Sequence, residues 1–340
     1  MKTTNARAAV IIGAALLSAC AGAQPALAPD AGAFRLSLGS VPRSGALRDP
    51  AVPAPNGGKS WMLPTATSCG YNGKLPPCGL LYVTNYHADD VLVFQNDKLV
   101  GTLTGFKGPD GICTDRHGDV WIVNNLGQNV VEYAHGGTSP LKTLGDPGYY
   151  PLGCAVNPRT GALVVTNVFS TASGPGNIAI YHKTTGPPLV LNDPNVFYYF
   201  FCGFDAESNL YVDGLNTSET FRFLELLRGQ HTFKNLTLDG TLYYPGAVAW
   251  DGQHVDVGDQ RYHNEIASAV YQTTGQKIVG TTLLTGAQDV VGYWVGSGSL
   301  IGPDANLNDV SLYQYPAGGE PTLSVGDFDK PYGAAVSVAR

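Results

Sequence analysis

An all-β fold is what this sequence predicts, and three observations make the prediction specific. The chain of 340 residues carries 43 Gly and 23 Pro against only 14% charged residues, and Tyr (18) outnumbers Phe (12). That is the composition of short strands joined by tight turns. A motif then recurs: "PDGICTDRHGDVWIVNN", "PLGCAVNPRTGALVVTN", "FFCGFDAESNLYVDG", "PGAVAWDGQHVDVGD" and "DVVGYWVGSGSLIGPD". The starts fall near 109, 151, 200, 245 and 290, with a sixth at Pro331, so the spacing is 41 to 49 residues, the period of a propeller blade. Finally, the chain stops at "KPYGAAVSVAR", just after that sixth start, on what reads as the first strand of a repeat.

Each element follows in order. In every repeat the second strand ends on Asn or Asp: Asn85, Asn124, Asn167, Asp213, Asp259 and Asp304. A third strand ends on an aromatic, at Phe94, Tyr133, Tyr181, Phe223, Tyr271 and Tyr313. A fourth strand follows a turn, and "AHGGTSPLKTL" from Ala134 is a near copy of "YPAGGEPTLSV" from Tyr315. Alternating residues such as Val91, Val93 and Val130 put one side of each strand into the contact between blades. Residues 80–104 hold second, third and fourth strands without a first, and 331–339 hold a first without the others. Joined, they make one blade. The predicted fold is therefore a six-bladed β-propeller of four-stranded blades over 80–340, closed by the C-terminal strand joining the N-terminal blade.

The segments ahead of the ring read differently. Residues 1–19 have the form of a signal peptide, with Lys2 and Arg7 before the apolar run "AAVIIGAALL", too short for a permanent span. "LSAC" follows and resembles the lipobox of bacterial lipoproteins. The resemblance implies lipidation of Cys20 and a membrane anchored through its acyl chains. Ala21 rather than Asp comes next, which implies the outer membrane if the cell is Gram-negative. Residues 20–57 read as a Pro/Ala/Gly-rich tether, and 58–79 as a lead-in loop in which Cys69 and Cys78 flank a turn and suit a local disulfide. Cys113, Cys154 and Cys202 sit at apolar strand starts and read as small buried core residues, their pairing left open.

The motif "PDGICTDRHGDVWIVNN" resembles the NHL-repeat pattern, and the ring is similar to gluconolactonase-like and virginiamycin-lyase-like propellers. The resemblance implies the architecture over all six blades; propellers of this kind host binding modules and enzymes alike. Gluconolactonase-like propellers hold a divalent ion at the central mouth. By that resemblance Asp110, Asp213, Asp259, Asp289 and Asp304 are the candidate oxygen ligands for Ca²⁺ or another divalent cation. The competing reading of the ring of six Asn/Asp is turn capping, because a feature in all six blades lacks the asymmetry of a site. Asp110 and Asp289 stand outside that ring.

One feature is asymmetric. Tyr149, Tyr150, Tyr198, Tyr199, Tyr243 and Tyr244 precede or open the first strands of three consecutive blades, and Tyr332 sits at a related place in the composite blade. They are the candidate ligand-binding residues, against a plain role in packing. His87, His254 and His263 are lone loop histidines, and no catalytic motif accompanies them. The net charge of −7 gives no basic footprint for nucleic acid. The expectation is a monomeric envelope lipoprotein whose propeller face binds a small molecule, glycan or protein, with a metal-dependent lactonase-like hydrolase or lyase as the alternative.

Overall fold

In the computed structural model, residues 59–63, 75–76, 78–95, 97–182 and 186–339 are described. All of them fall in one compact unit. Twenty-five strands make six antiparallel sheets. The first sheet takes β1 (Trp61–Met62), β2 (Gly79–Asn85), β3 (Asp90–Gln95) and β4 (Lys98–Thr104). The second holds β5 (Pro109–Thr114), β6 (Val120–Asn124), β7 (Asn129–Tyr133) and β8 (Pro140–Gly145). The third holds β9 (Tyr149–Val156), β10 (Leu163–Ser170), β11 (Pro175–Tyr181) and β12 (Leu189–Leu191). In the fourth are β13 (Tyr198–Phe204), β14 (Leu210–Leu215), β15 (Phe221–Leu226) and β16 (Lys234–Leu236). The fifth is β17 (Pro245–Trp250), β18 (Val255–Asp259), β19 (Ser268–Thr274) and β20 (Lys277–Leu284). The sixth is β21 (Trp294–Gly296), β22 (Ser299–Asp304), β23 (Asp309–Gln314) and β24 (Leu323–Val325).

The last strand, β25 (Pro331–Val338), pairs with β2, with Leu80 opposite Ser337 and Tyr82 opposite Ala335. The first sheet thus runs β25-β2-β3-β4-β1, and both ends of the described chain share one blade. First strands of neighbouring blades touch around the whole ring, from β25 to β5 and on through β21 back to β25. The ring is a six-bladed propeller closed as the sequence predicts. The lead-in differs from a plain loop: Trp61 and Met62 pair with Thr102 and Gly101 as a short fifth strand on the outer edge of blade 1, covering an edge that would otherwise be open.

Strand alternation explains why the blades stack. In β3, Val91 and Val93 pack toward blade 2 with Val120, Ile122 and Val131. Leu92 and Phe94 of the same strand pack toward blade 6 with Ile301 and Val310. Every second residue faces a different neighbour, so both sides of a blade are apolar. The expectation of one buried side understated this.

The recurring Pro-x-Gly start has a geometric cause. Between Pro109 and Ile112 of β5 the register slips, so that Asp110 and Gly111 together lie opposite one residue of β6. The same slip recurs in β25 between Pro331 and Ala334, opposite Thr84, and in β17 between Pro245 and Val248. Each is a β-bulge, which leaves a backbone group without a ladder partner and re-aims the side chains beside it. In blade 1 the Gly333 N–H donates instead to Thr84 Oγ1 (2.8 Å), whose hydroxyl donates to the Asp110 carbonyl of the next blade (2.5 Å). Blade 3 repeats the clasp through Thr166, which accepts from Gly153 N–H and donates to the Phe200 carbonyl. A Cβ on Gly111 would stand 2.2 Å from the Leu152 carbonyl oxygen, and one on Gly333 2.7 Å from that of Asp110. Only glycine allows first strands to approach this closely.

Two of the three cysteines left open by the sequence are joined. Cys113 on β5 and Cys154 on β9 form a disulfide between neighbouring first strands, with Cα atoms 5.8 Å apart. Their separation of 41 residues is one repeat, so equivalent positions of adjacent blades meet. Closing such a loop contributes about 4 kcal/mol in the chain-entropy picture. Cys202 is free and buried, as the core reading expects, whereas Cys113 and Cys154 are half-buried. Cys78 is disulfide-bonded; its expected partner Cys69 lies outside the described residues, as does Cys20. No helix among the described residues is long and apolar enough to cross a membrane.

Candidate functional site

The six Asn/Asp positions and the loops that lead into the first strands share one face of the ring, and their side chains are busy there. Asn85 Oδ1 accepts from Asp329 N–H (2.6 Å), and Asn124 Oδ1 from Lys107 N–H (2.6 Å). Asp213 accepts from Phe201 N–H (2.7 Å). Asp259 accepts from the N–H groups of Tyr243, Tyr244 and Arg261 (3.1, 3.0 and 3.0 Å). Asp304 accepts from Gln288, Asn306 and Leu307 (2.6, 3.0 and 2.9 Å). Asn167 instead donates to the carboxylates and amides of its own blade, at Asp146 and Asn177. Four of the six therefore tie the segment entering the first strand to the end of the second strand in the same blade, and Asp213 holds Phe201 inside β13. Their role is capping, and their oxygens are engaged with backbone N–H groups.

Three of the six are also candidate cation ligands. Asp213, Asp259 and Asp304 are 1% exposed; Asp259 and Asp304 spend both oxygens on the backbone, while Asp213 spends one and leaves its Oδ2 without a partner among the described residues. Among the described residues no group of three or more His, Cys, Asp or Glu is placed to hold a metal ion. Asp110 and Asp289 remain, and neither side chain accepts a hydrogen bond. Both lie at the mouth. Burial pushes Asp110 well above the usual carboxylate range, and no Lys or Arg offsets it. Burial, and then the charge of Asp304, push Asp289 up to about 7, with Lys330 and Arg261 pulling the other way.

Aromatic rings surround these acids. Tyr86 and Tyr332 of blade 1 meet with centroids 4.9 Å apart. Burial raises both phenols, and the charge of Asp110 is the next cause for each. Tyr150 of blade 3 also acts on Tyr86, and its ring lies 4.9 Å from Phe169, which meets Tyr198 at 6.4 Å. Tyr244 of blade 5 stacks edge-on against Phe200 at 5.4 Å, and the Arg261 guanidinium covers its ring at 4.6 Å. Asp289 adds to the charges felt by both Tyr332 and Tyr244. The mouth is thus a rim of rings drawn from blades 1, 3, 4 and 5, with one bare acid on blade 2 and another on blade 6.

Of the tyrosines named from sequence, Tyr150, Tyr198, Tyr244 and Tyr332 come together on this rim. Tyr199 does not. It is fully buried between blades 3 and 4, its hydroxyl accepting from Asp193 N–H. The residue at 198 points one way and that at 199 the other, as strand alternation requires. Tyr243 is exposed at 37% and Tyr149 half-buried, and neither makes a ring contact. The sequence reading missed Tyr86, Phe169 and Arg261. A signal existed for two of them, since Tyr86 follows Asn85 directly and Arg261 lies two residues after Asp259, just past the ring position.

Other perturbed groups have structural causes. Tyr315 donates between Asp251 and Asp256 (2.9 and 2.8 Å), and burial holds Asp256 up to about 8. His254 is salt-bridged to Asp251, His87 is exposed beside Asp329, and His263 stacks on Tyr262.

No protein-family model matches the chain, and no curated protein matches it in sequence. Among solved structures it is similar to a chain of a nidogen/laminin complex, with TM-score 0.63, 14% identity, and coverage of 77% of this chain and 99% of that one. It is similar also to a protein of unknown function from Bacteroides caccae, with TM-score 0.57 and 15% identity over 76% and 98%. A streptogramin B lyase aligns at 0.46 and 14% over 77% and 74%. At such identities the likeness is one of fold. The class is the six-bladed β-propeller, with an NHL-like start to its blades.

Proposed function

We propose that the chain is a ligand-binding propeller displayed at the bacterial cell envelope, carried on a tether whose lipid anchor is Cys20. The observation that supports binding is a set of ring contacts on one face, Tyr332 with Tyr86, Tyr150 through Phe169 to Tyr198, and Tyr244 with Phe200. Such half-buried rings offer flat, rigid surface with polar tips, the usual makings of a recognition site. The capping Asn and Asp residues support the rim without being part of it. The metal-dependent hydrolase or lyase reading lacks a donor set among the described residues.

Glycan and peptide arrays probed with the full chain test the face. A bound class is expected, with binding lost in Tyr198→Ala and Tyr244→Ala while the melting temperature stays near wild type. Binding that survives both changes places the ligand elsewhere. Metabolic labelling with an alkyne fatty acid tests the anchor: label in the wild type and none in Cys20→Ala is the expected result, and an unlabelled wild type ends the lipoprotein reading.

A further inference from the structure

The mouth is electrically uneven, and the unevenness indicates what kind of group it takes. Asp289 has Lys330 and Arg261 beside it. Asp110 has none. It is 2% exposed, accepts no hydrogen bond, and its surroundings act on it through burial alone. A carboxylate with no donor and no cation is a group whose partner comes from outside. Asp110 lies in the bulge at Pro109–Ile112, where the β5–β6 register slips.

The walls around Asp110 are rings. Tyr332 stands on the equivalent bulge of the blade before it, Tyr86 lies against Tyr332, and Tyr150 comes from the blade after it. A primary ammonium would need three acceptors. A methylated ammonium needs few or none; it is weakly hydrated and is held by ring faces and one counter-ion. We propose that this side of the mouth is a subsite for a methylated or quaternary ammonium group, with Asp110 as its counter-ion and Tyr86, Tyr332 and Tyr150 as its walls. The inference rests on the mouth being the binding face and adds the chemistry of the ligand.

A linked effect follows. Burial disfavours the charged form of Asp110 and so favours its proton while the subsite is empty. A bound cation displaces that proton, so affinity rises with pH. Burial raises the phenols of Tyr86 and Tyr332 beside it, and Asp89 and Asp289 bear on those same rings.

Calorimetric titration of the full chain with choline, and with its uncharged carbon isostere 3,3-dimethylbutan-1-ol, is the test. Saturable choline binding is expected, at least about 10-fold tighter than the isostere, the ratio that one counter-ion or cation–π contact supplies. Asp110→Asn should weaken choline by at least about 10-fold and abolish proton release, read from the heat in two buffers of different ionisation enthalpy. Equal binding of choline and isostere, no choline binding, or an Asp110→Asn protein with wild-type affinity overturns the proposal. If Asp110→Asn does not fold, the choline-to-isostere ratio on the wild type decides alone. Should the arrays yield a neutral ligand that needs Tyr198 and Tyr244 while choline fails, the cation subsite falls and the binding face stands. Should nothing of either charge bind, both fall.

Discussion

Two sets of acids stand within a few residues of one another on the same face, and they differ in almost every property that matters. Asp259 and Asp304 close the second strands of blades 5 and 6, and each receives three backbone N–H groups. Asp110 and Asp289 lie at the entrance to the first strands of blades 2 and 6 and receive none. The first set is spent on the fold. The second is held in place by the fold and left unspent. Residue type and burial do not separate them, since Asp110 and Asp304 are both nearly fully buried. What separates them is whether the backbone supplies partners. A buried acid with backbone partners is architecture, and one without is a site in waiting.

The largest expected effect comes from breaking the first set. Asp259→Ala leaves the N–H groups of Tyr243, Tyr244 and Arg261 without their acceptor. Losing a charged acceptor of that kind costs about 3 kcal/mol, and Asp304→Ala should cost a similar amount. Urea unfolding of the variants measures this. Loss below about 0.5 kcal/mol, the level of an ordinary surface change, would show that the ring is decorative and reopen the cation reading.

The second prediction concerns pH and the half-buried member of the second set. Asp289 is raised to about 7 from the ordinary 3.8, first by burial and then by Asp304. The folded state therefore binds its proton more tightly than the unfolded chain. The stability from that proton is fully present below about pH 4 and is lost as pH rises toward about 7. Unfolding free energy of the wild type minus that of Asp289→Asn, measured across this window, should fall as pH rises. A flat difference would mean that Lys330 and Arg261 hold the acid ionised throughout, and the two mouth acids would then differ more than their burial implies.

Much of this was legible in the sequence because it repeats. The six Asn/Asp positions, the Pro-x-Gly starts and the shared blade at the termini all recur at one period, and repetition turns weak local signals into a register. The mouth was less legible because it does not repeat. Tyr198 and Tyr199 look alike in sequence, yet alternation sends one to the rim and the other into the core between blades 3 and 4. Tyr86 is two hundred and more residues from Tyr332 and meets it only because β25 pairs with β2. The Cys113–Cys154 bridge was hidden by an odd count of cysteines, although one repeat of separation places the two on touching first strands. Side-chain direction at a bulge and contact across the seam are properties of the closed ring, and no stretch of sequence carries them alone.

The smallest expected effect is the sharpest test of the comparison. Asp110→Asn removes a carboxyl that makes no hydrogen bond and replaces it with an amide of the same shape. If the acid contributes nothing to the fold, stability should change by less than about 1 kcal/mol at neutral pH. Any change near alkaline pH should be a gain, because the wild type must then either ionise a buried group or hold its proton against the solvent. Thermal melts of wild type and variant across neutral to alkaline pH read this directly. A large loss would show that Asp110 has a structural partner and belongs with Asp259 and Asp304. A neutral or stabilising result at a nearly sealed position is what selection for binding, and not for folding, leaves behind. It would mark Asp110 as a residue kept for binding and not for folding.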